Sequence, residues 1–131
     1  MTLFLVKILV AAIAFFLLGI LWYSSLAFGP NWAKLMKKTG SKKSKIGIKT
    51  AHAVSVLCLF LSCLVMGILI IMLGIAGPGD GALFGMVLGL LLVGTTLLSE
   101  ALYMGQPSGL FLINASYRVL GFILAGALIA P

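Results

Sequence analysis

The sequence has almost no charge outside one short stretch. Only 8% of its 131 residues are charged, and all basic residues except Lys7 and Arg118 fall between Lys34 and Lys49. Uncharged runs extend from Ile8 to Ala33 and from Thr50 to Gly79. Each run is longer than the ~20 apolar residues that span a bilayer as a helix. These absences exclude a soluble domain and predict an integral membrane protein.

The residue types that build catalytic and metal centres are equally scarce. The chain has one histidine, two cysteines and two acidic residues. Cys58 and Cys63 are five positions apart, which on a helix separates their directions by about 140° and excludes a disulfide between them. Without a CxxC motif or a cluster of histidine and cysteine, we expect no metal and no cofactor. We also expect no enzymatic activity, because the single histidine has no nucleophile and acid at a recognisable spacing.

Turn residues divide the apolar sequence into four predicted spans within a single membrane domain, residues 1–131. The predicted helices cover residues 3–28, 46–75, 82–104 and 109–130. Gly29-Pro30, the glycine-rich turn at 76–81 and Gly105-Gln106-Pro107 separate them, because glycine and proline end one helix and open the next. The expected fold is an all-α membrane protein with four transmembrane helices in two hairpins.

The basic loop, residues 29–45, contains a short amphipathic segment at 31–38. Trp32, Leu35 and Met36 form one face and lysines lie mostly on the other, which predicts an interfacial helix on the membrane surface. Because positive charge marks cytoplasmic loops, we expect this loop in the cytoplasm and both termini outside, in an inner cell membrane. Lipids with anionic headgroups, attracted by about 1 kcal/mol per basic residue, are the expected partner of the +7 charge, rather than nucleic acid.

Small residues mark candidate helix contacts, because membrane helices approach closely where side chains are small. Gly85 and Gly89 form a GxxxG pair, and Gly121 with Ala125 forms a weaker version. Packing within the chain and dimerisation both stay open for these pairs. A stripe on the second span also predicts a contact; its members are Ala51, Ser55, Cys58 and Ser62.

Polar side chains converge near the cytoplasmic ends of the predicted spans. Arg118 lies about 13 Å along the fourth span, and Glu100 lies about 6 Å from the end of the third. Helical side chains lean toward their own N-terminus, so these two lean toward each other and a direct or singly bridged contact is expected. The other members of the predicted cluster are Thr96, Asn114, Tyr117, Tyr23, Ser24 and His52. Trp22 and Trp32 are predicted to be interfacial anchors.

Two motifs resemble the small bacterial membrane proteins of domain of unknown function 1761. Residues 19–32, GILWYSSLAFGPNW, resemble the family pattern G-x-L-W-Y-S-P-L-x-F-G-x-x-W. Residues 101–107, ALYMGQP, and 110–117, LFLINASY, resemble A-L-F-E-G-R-P and L-F-L-I-N-A-G-Y. Among the positions that depart from the pattern, Ser25 replaces its proline, Met104 its glutamate and Gln106 its arginine. The resemblance implies the four-helix fold and carries no activity.

Two functions stay open for the polar cluster, beside a purely structural network that fixes helix register. The first is an oligomeric small-solute or ion transporter or channel, in which Glu100 binds a cation or proton and Asn114, Tyr23 and Ser24 line the access path. Four helices are few to enclose a pathway, so a homo-oligomer is expected. The second is a non-transporting membrane module for assembly, regulation or lipid binding.

Overall fold

The computed structural model describes residues 2–24, 29–39, 47–105 and 107–131. Predictions on residues 25–28, 40–46 and 106 lie outside these ranges, as do predictions on the side chain of Met36. The all-α prediction is confirmed, and the described ranges contain no strand. The helices are α1 (Thr2–Trp22), α2 (Gly29–Thr39), α3 (Ile48–Leu73), α4 (Pro78–Val87), a π-helical segment (Leu88–Gly94), α5 (Thr95–Met104) and α6 (Ser108–Ile129).

Within the described ranges, four helical stretches are long and apolar enough to cross a membrane, which confirms the prediction of a multi-pass membrane protein. They are Thr2–Trp22, Lys49–Leu73, Pro78–Met104 and Ser108–Ile129. The third consists of α4, the π-helical segment and α5 in one continuous rod. Large apolar side chains such as Leu5, Leu57 and Ile71 point outward, as expected for a surface that faces lipid.

Several helices begin or end away from the predicted bounds. α1 ends at Trp22 rather than at 28, and α3 ends at Leu73 because Gly74 adopts a left-handed conformation with φ 69°. The N–H of Gly74 is directed at the carbonyls of the last turn of α3. α4 begins at Pro78, before the predicted 82, because proline suits the first turn of a helix and the carboxylate of Asp80 favours its N-terminus.

α6 is the central helix of the bundle, and α1 and α4 pack on it from two sides. α3 packs on α1 and touches α6 only slightly, so the helices follow the order α3, α1, α6, α4. Phe15 of α1 is fully buried and meets the rings of Tyr117 and Phe122 edge-on, with centroid distances of 5.4 and 5.3 Å. Gly121 makes room for this ring, because a Cβ there would overlap Phe15.

Glycines bring α4 and the π-helical segment into backbone contact with α6. A Cβ on Gly85 would overlap the carbonyl of Phe122, and one on Gly89 would lie 2.9 Å from the Cα of Val119. The GxxxG pair therefore packs inside the chain, where small residues allow two backbones to approach.

Contact between the third span and α6 decreases along the span and is slight beyond the π-helical segment. α4 runs closely along α6, whereas α5 makes few contacts with it. The hydroxyl of Thr95 donates to the carbonyl of Leu91 over 2.7 Å, a bond to the preceding turn that often accompanies a bent or widened helix. As a result, the face of α5 that carries Glu100 is exposed.

Candidate functional site

A cavity of about 860 Å³ opens between α1, α3 and α6, with Trp32 of α2 at its rim. It lies toward the loop end of the bundle, where α1 ends and α3 begins. Its polar and aromatic lining includes Phe16, Tyr23, Trp32, His52, Ser55, Tyr117 and Arg118. We call it the basic cavity, because Arg118 and His52 line it and no acidic residue of the described ranges does.

Hydrogen bonds join the end of α1 to the first half of α6 and hold one wall of the basic cavity. The hydroxyl of Tyr23 donates to Oδ1 of Asn114 over 2.6 Å, and Nε1 of Trp22 donates to the carbonyl of Ile113 over 3.0 Å. Deeper in the bundle, the hydroxyl of Tyr117 donates to the carbonyl of Phe15 over 3.2 Å. These bonds fix the aromatic rings that separate α1 from α6.

Close approach of α1 and α6 depends on Gly19. A Cβ on this residue would lie 2.7 Å from the hydroxyl oxygen of Tyr117, so any larger residue displaces that ring. The ring of Tyr23 packs between Tyr117 and Trp32, at centroid distances of 5.6 and 5.7 Å. The amphipathic helix α2 is thus connected to the basic cavity through one tryptophan.

Arg118 supplies the positive charge of the basic cavity. It lies ten positions after the first residue of α6, or about 15 Å along the helix. Its guanidinium carbon is 5.6 Å from the ring centroid of Tyr117, within the range of a weak cation–π contact. His52 is opposite on α3, where its ring meets Phe16 edge-on at 5.5 Å.

Tyr23 lies just beyond the last residue of α1 and stays protonated at neutral pH. Burial raises the pKa of its hydroxyl to about 12, although the positive charge of Arg118 acts in the opposite direction. Desolvation disfavours the phenolate more than one neighbouring cation favours it. The hydroxyl therefore remains a hydrogen-bond donor to Asn114.

The structure brings together Tyr23, Asn114, Tyr117, His52 and Arg118, which are five of the eight members of the predicted cluster. Ser24 lies beside them at the end of α1, where its hydroxyl donates to the carbonyl of Leu21.

Glu100 and Thr96 are not part of this group. Arg118 lines the cavity on the α1 and α3 side of α6, whereas Glu100 is exposed on α5. In the described part of the chain no ion pair joins the two, so the expected contact is not observed. The physical reason is that the π-helical segment shifts the rotation of every residue after it, and that α5 makes few contacts with α6. The hydroxyl of Thr96 donates within its own helix, to the carbonyl of Val93 over 2.8 Å.

Sequence reasoning expected an access path beside Tyr23 and Asn114 but missed the wall of the cavity that α3 forms. Ser55 and Cys58 of the small-residue stripe were expected in a helix contact, but both are exposed and line the basic cavity. Their small side chains leave space beside Gly19 that larger residues would fill. The interfacial role of Trp22 and Trp32 stays a prediction, although both rings lie at the loop end of the bundle.

The fold defines a multi-pass membrane protein of four apolar spans, with a basic, aromatic-lined cavity near one end. A family model described as "Protein of unknown function (DUF1761)" matches residues 6–130. The chain belongs to this family, as the two motifs predicted. A search of curated proteins and a search of solved structures found no match.

Proposed function

We propose that this protein is a non-transporting, lipid-binding module whose basic cavity binds an anionic oxygen group, a phosphate or a carboxylate. The observation that carries the proposal is the composition of the cavity. Arg118 and His52 line it together with Ser55, and the described lining includes no carboxylate. An anion is the partner that this set of side chains fits.

The position of Arg118 strengthens the argument. An arginine near the centre of a transmembrane helix costs about 2.5–3.5 kcal/mol on insertion scales unless it is paired. No acidic side chain pairs with Arg118 in the ranges that the structure describes, and a bound anion would supply the missing counter-charge. The guanidinium fork binds phosphate and carboxylate through two parallel hydrogen bonds. His52 and Ser55 add further donors.

The lysine-rich loop supports an anionic lipid as the source of this group. By the positive-inside rule, we propose that the loop end of the bundle faces the cytoplasm of an inner membrane and that both termini face outward. Basic residues beside the membrane raise the local concentration of anionic lipids. Trp32 then lies where an amphipathic aromatic side chain meets a headgroup.

Two observations favour binding over transport. Behind Tyr117, the fully buried ring of Phe15 fills the space between α1 and α6 and closes the basic cavity on that side. Glu100, the residue expected to carry a cation, does not line the cavity. We also propose that the basic cavity binds its ligand without catalysing a reaction. A homo-oligomer stays a prediction, and the GxxxG face is occupied by α6 within the chain.

The test compares wild type with Arg118→Gln, and with Lys7→Gln as a control that removes one positive charge near the other end of α1. Each is reconstituted in nanodiscs of phosphatidylglycerol and phosphatidylethanolamine, and native mass spectrometry counts retained lipids. Titration with glycerol phosphate measures binding of a free phosphate. Loss of a charge-assisted bond should weaken binding about tenfold in Arg118→Gln only. Equal retention in all three proteins would overturn the proposal.

Liposome flux assays test the transport alternative directly. We expect no flux of protons, sodium or potassium above protein-free vesicles, for wild type or for Glu100→Gln. A wild-type flux that Glu100→Gln abolishes would establish the transporter and refute the non-transporting module.

A further inference from the structure

A second cavity lies against the basic cavity and has the opposite character. It has a volume of about 370 Å³ and separates α3 from the π-helical segment, with Phe122 of α6 between them. Its lining is almost wholly apolar and includes Val65, Met66, Leu88, Leu92, Val93 and Phe122. We call it the apolar cleft.

The linings of the two cavities are adjacent on both helices that they share. On α6, Arg118 of the basic cavity and Phe122 of the apolar cleft are four residues apart, or about 6 Å along the axis. On α3, Leu59 of the basic cavity and Ser62 of the apolar cleft are three residues apart, or about 4.5 Å along the axis. A single extended molecule of suitable shape therefore reaches both.

Along the bundle, a charged cavity is followed by an apolar one, which is the order of the polar and apolar parts of an amphiphile. The basic cavity is nearer the loop end, and the apolar cleft follows toward the opposite end, because α3 runs from His52 through Leu59 to Val65. A polar group at Arg118 thus directs an attached chain inward, between α3 and the π-helical segment.

From this geometry we infer that the ligand is an anionic lipid whose headgroup lies at Arg118 and whose acyl chain occupies the apolar cleft. The inference rests on the proposed function, because the positive charge of the basic cavity is the reason for choosing an anionic lipid as the molecule in the apolar cleft. A helix from another protein would fill the cleft without supplying an anion to Arg118.

The acyl chain gains little from the hydrophobic effect, because the surrounding lipid is equally apolar. The cleft instead determines where the chain of a head-bound lipid lies. The quantity to measure is therefore the position of the acyl chain, which photolabelling reports. Phosphatidylglycerol with a diazirine in the middle of one chain is incorporated in nanodiscs with the full-length protein, and phosphatidylcholine with the same chain serves as the comparison.

We expect labels from phosphatidylglycerol to concentrate on Val65, Leu92 and their neighbours, and to fall about tenfold at these sites in Arg118→Gln. Labels from phosphatidylcholine should be spread over all lipid-facing helices and be insensitive to Arg118. An equally broad distribution of labels from phosphatidylglycerol would overturn the inference. Cross-links from the cleft to a second protein chain would also overturn it.

Leu92→Trp tests the cleft itself, with Leu91→Trp as a matched control. The two leucines are adjacent and similarly exposed, at 60% and 63%, but only Leu92 lines the apolar cleft. Leu92→Trp should displace the label from the cleft, Leu91→Trp should not, and Val65→Trp on the opposite wall should repeat the result. Unchanged labelling in Leu92→Trp and Val65→Trp would refute the cleft as the chain site.

Binding of glycerol phosphate separates the two proposals. If glycerol phosphate binds in an Arg118-dependent manner while chain labels are spread evenly, the basic cavity is an anion site and the inference about the chain is wrong. If neither glycerol phosphate nor phosphatidylglycerol depends on Arg118, the proposed function itself fails. Retained glycerol phosphate binding in Leu92→Trp also establishes that this variant is folded.

Discussion

The hydroxyl of Tyr23 donates a 2.6 Å hydrogen bond to Oδ1 of Asn114, two residues that are 91 positions apart in the sequence. This bond joins the end of α1 to the first half of α6 at the level of the basic cavity. It lies at the loop end of the bundle and joins the first hairpin to the second. Single substitutions measure its strength.

Tyr23→Phe should lower the free energy of unfolding by about 1–3 kcal/mol, because it leaves the partly buried Oδ1 of Asn114 without its donor. Thermal unfolding of the detergent-solubilised protein measures the loss. Tyr103→Phe is the control, since the Tyr103 side chain is 91% exposed and should change stability by less than about 0.5 kcal/mol. Equal effects of the two substitutions would contradict the structural role of this bond.

Stability should also depend on Tyr23 at high pH. Its pKa is about 12 in the folded protein and 10.0 in the reference state, so the unfolded chain loses this proton first. The contribution is fully present below pH 10 and is lost as the pH rises from 10 to about 12. Between pH 9 and 12, the free energy of unfolding should therefore fall more steeply with pH for wild type than for Tyr23→Phe. An equal pH dependence of the two proteins would refute this.

Gly85→Ala should destabilise the second hairpin by about 1–3 kcal/mol, because its Cβ would overlap the carbonyl of Phe122. Gly79→Ala provides the control, since nothing lies within 4 Å of a Cβ at that position. Thermal unfolding in detergent compares the two variants. If Gly85→Ala were as stable as Gly79→Ala, the close contact between α4 and α6 would be wrong.

Glu100→Gln should leave stability unchanged within about 0.5 kcal/mol, because the exposed Glu100 forms no ion pair with Arg118 in the described part of the chain. Binding of phosphatidylglycerol should also be unaffected. A loss of 3 kcal/mol or more, which is roughly the cost of breaking a buried pair, would indicate that the two residues meet in the membrane.

The four spans were predictable because apolar length alone determines what a bilayer accepts as a helix. The contact of Gly85 and Gly89 was also recognisable as a pattern, although sequence left open whether its partner was α6 or a second copy. Tyr23 and Asn114 were assigned to one cluster because both are polar and lie at the same end of their spans, and the structure joins them by a hydrogen bond.

The position of Glu100 could not be predicted from helical geometry, because that reasoning assumed a regular α-helix from 82 to 104. The π-helical segment Leu88–Gly94 changes the direction in which every later side chain of the span points. Its sequence contains no proline that would have indicated an irregular helix. The wall of the basic cavity that α3 forms was missed for a different reason. A stripe of small residues predicts close packing and open space equally well, and only the arrangement of α3 beside α1 and α6 decides between them.

The attachment of α3 has a consequence for how ligand preference can change. α3 rests mainly on α1, so substitutions along its inward face alter the shape of both cavities while the Phe15 core between α1 and α6 stays intact. Divergence in the size of the bound molecule can therefore proceed on a single helix. Under the proposed function, such substitutions on α3 would change the headgroup or chain that fits while the contact of α1 with α6 is kept.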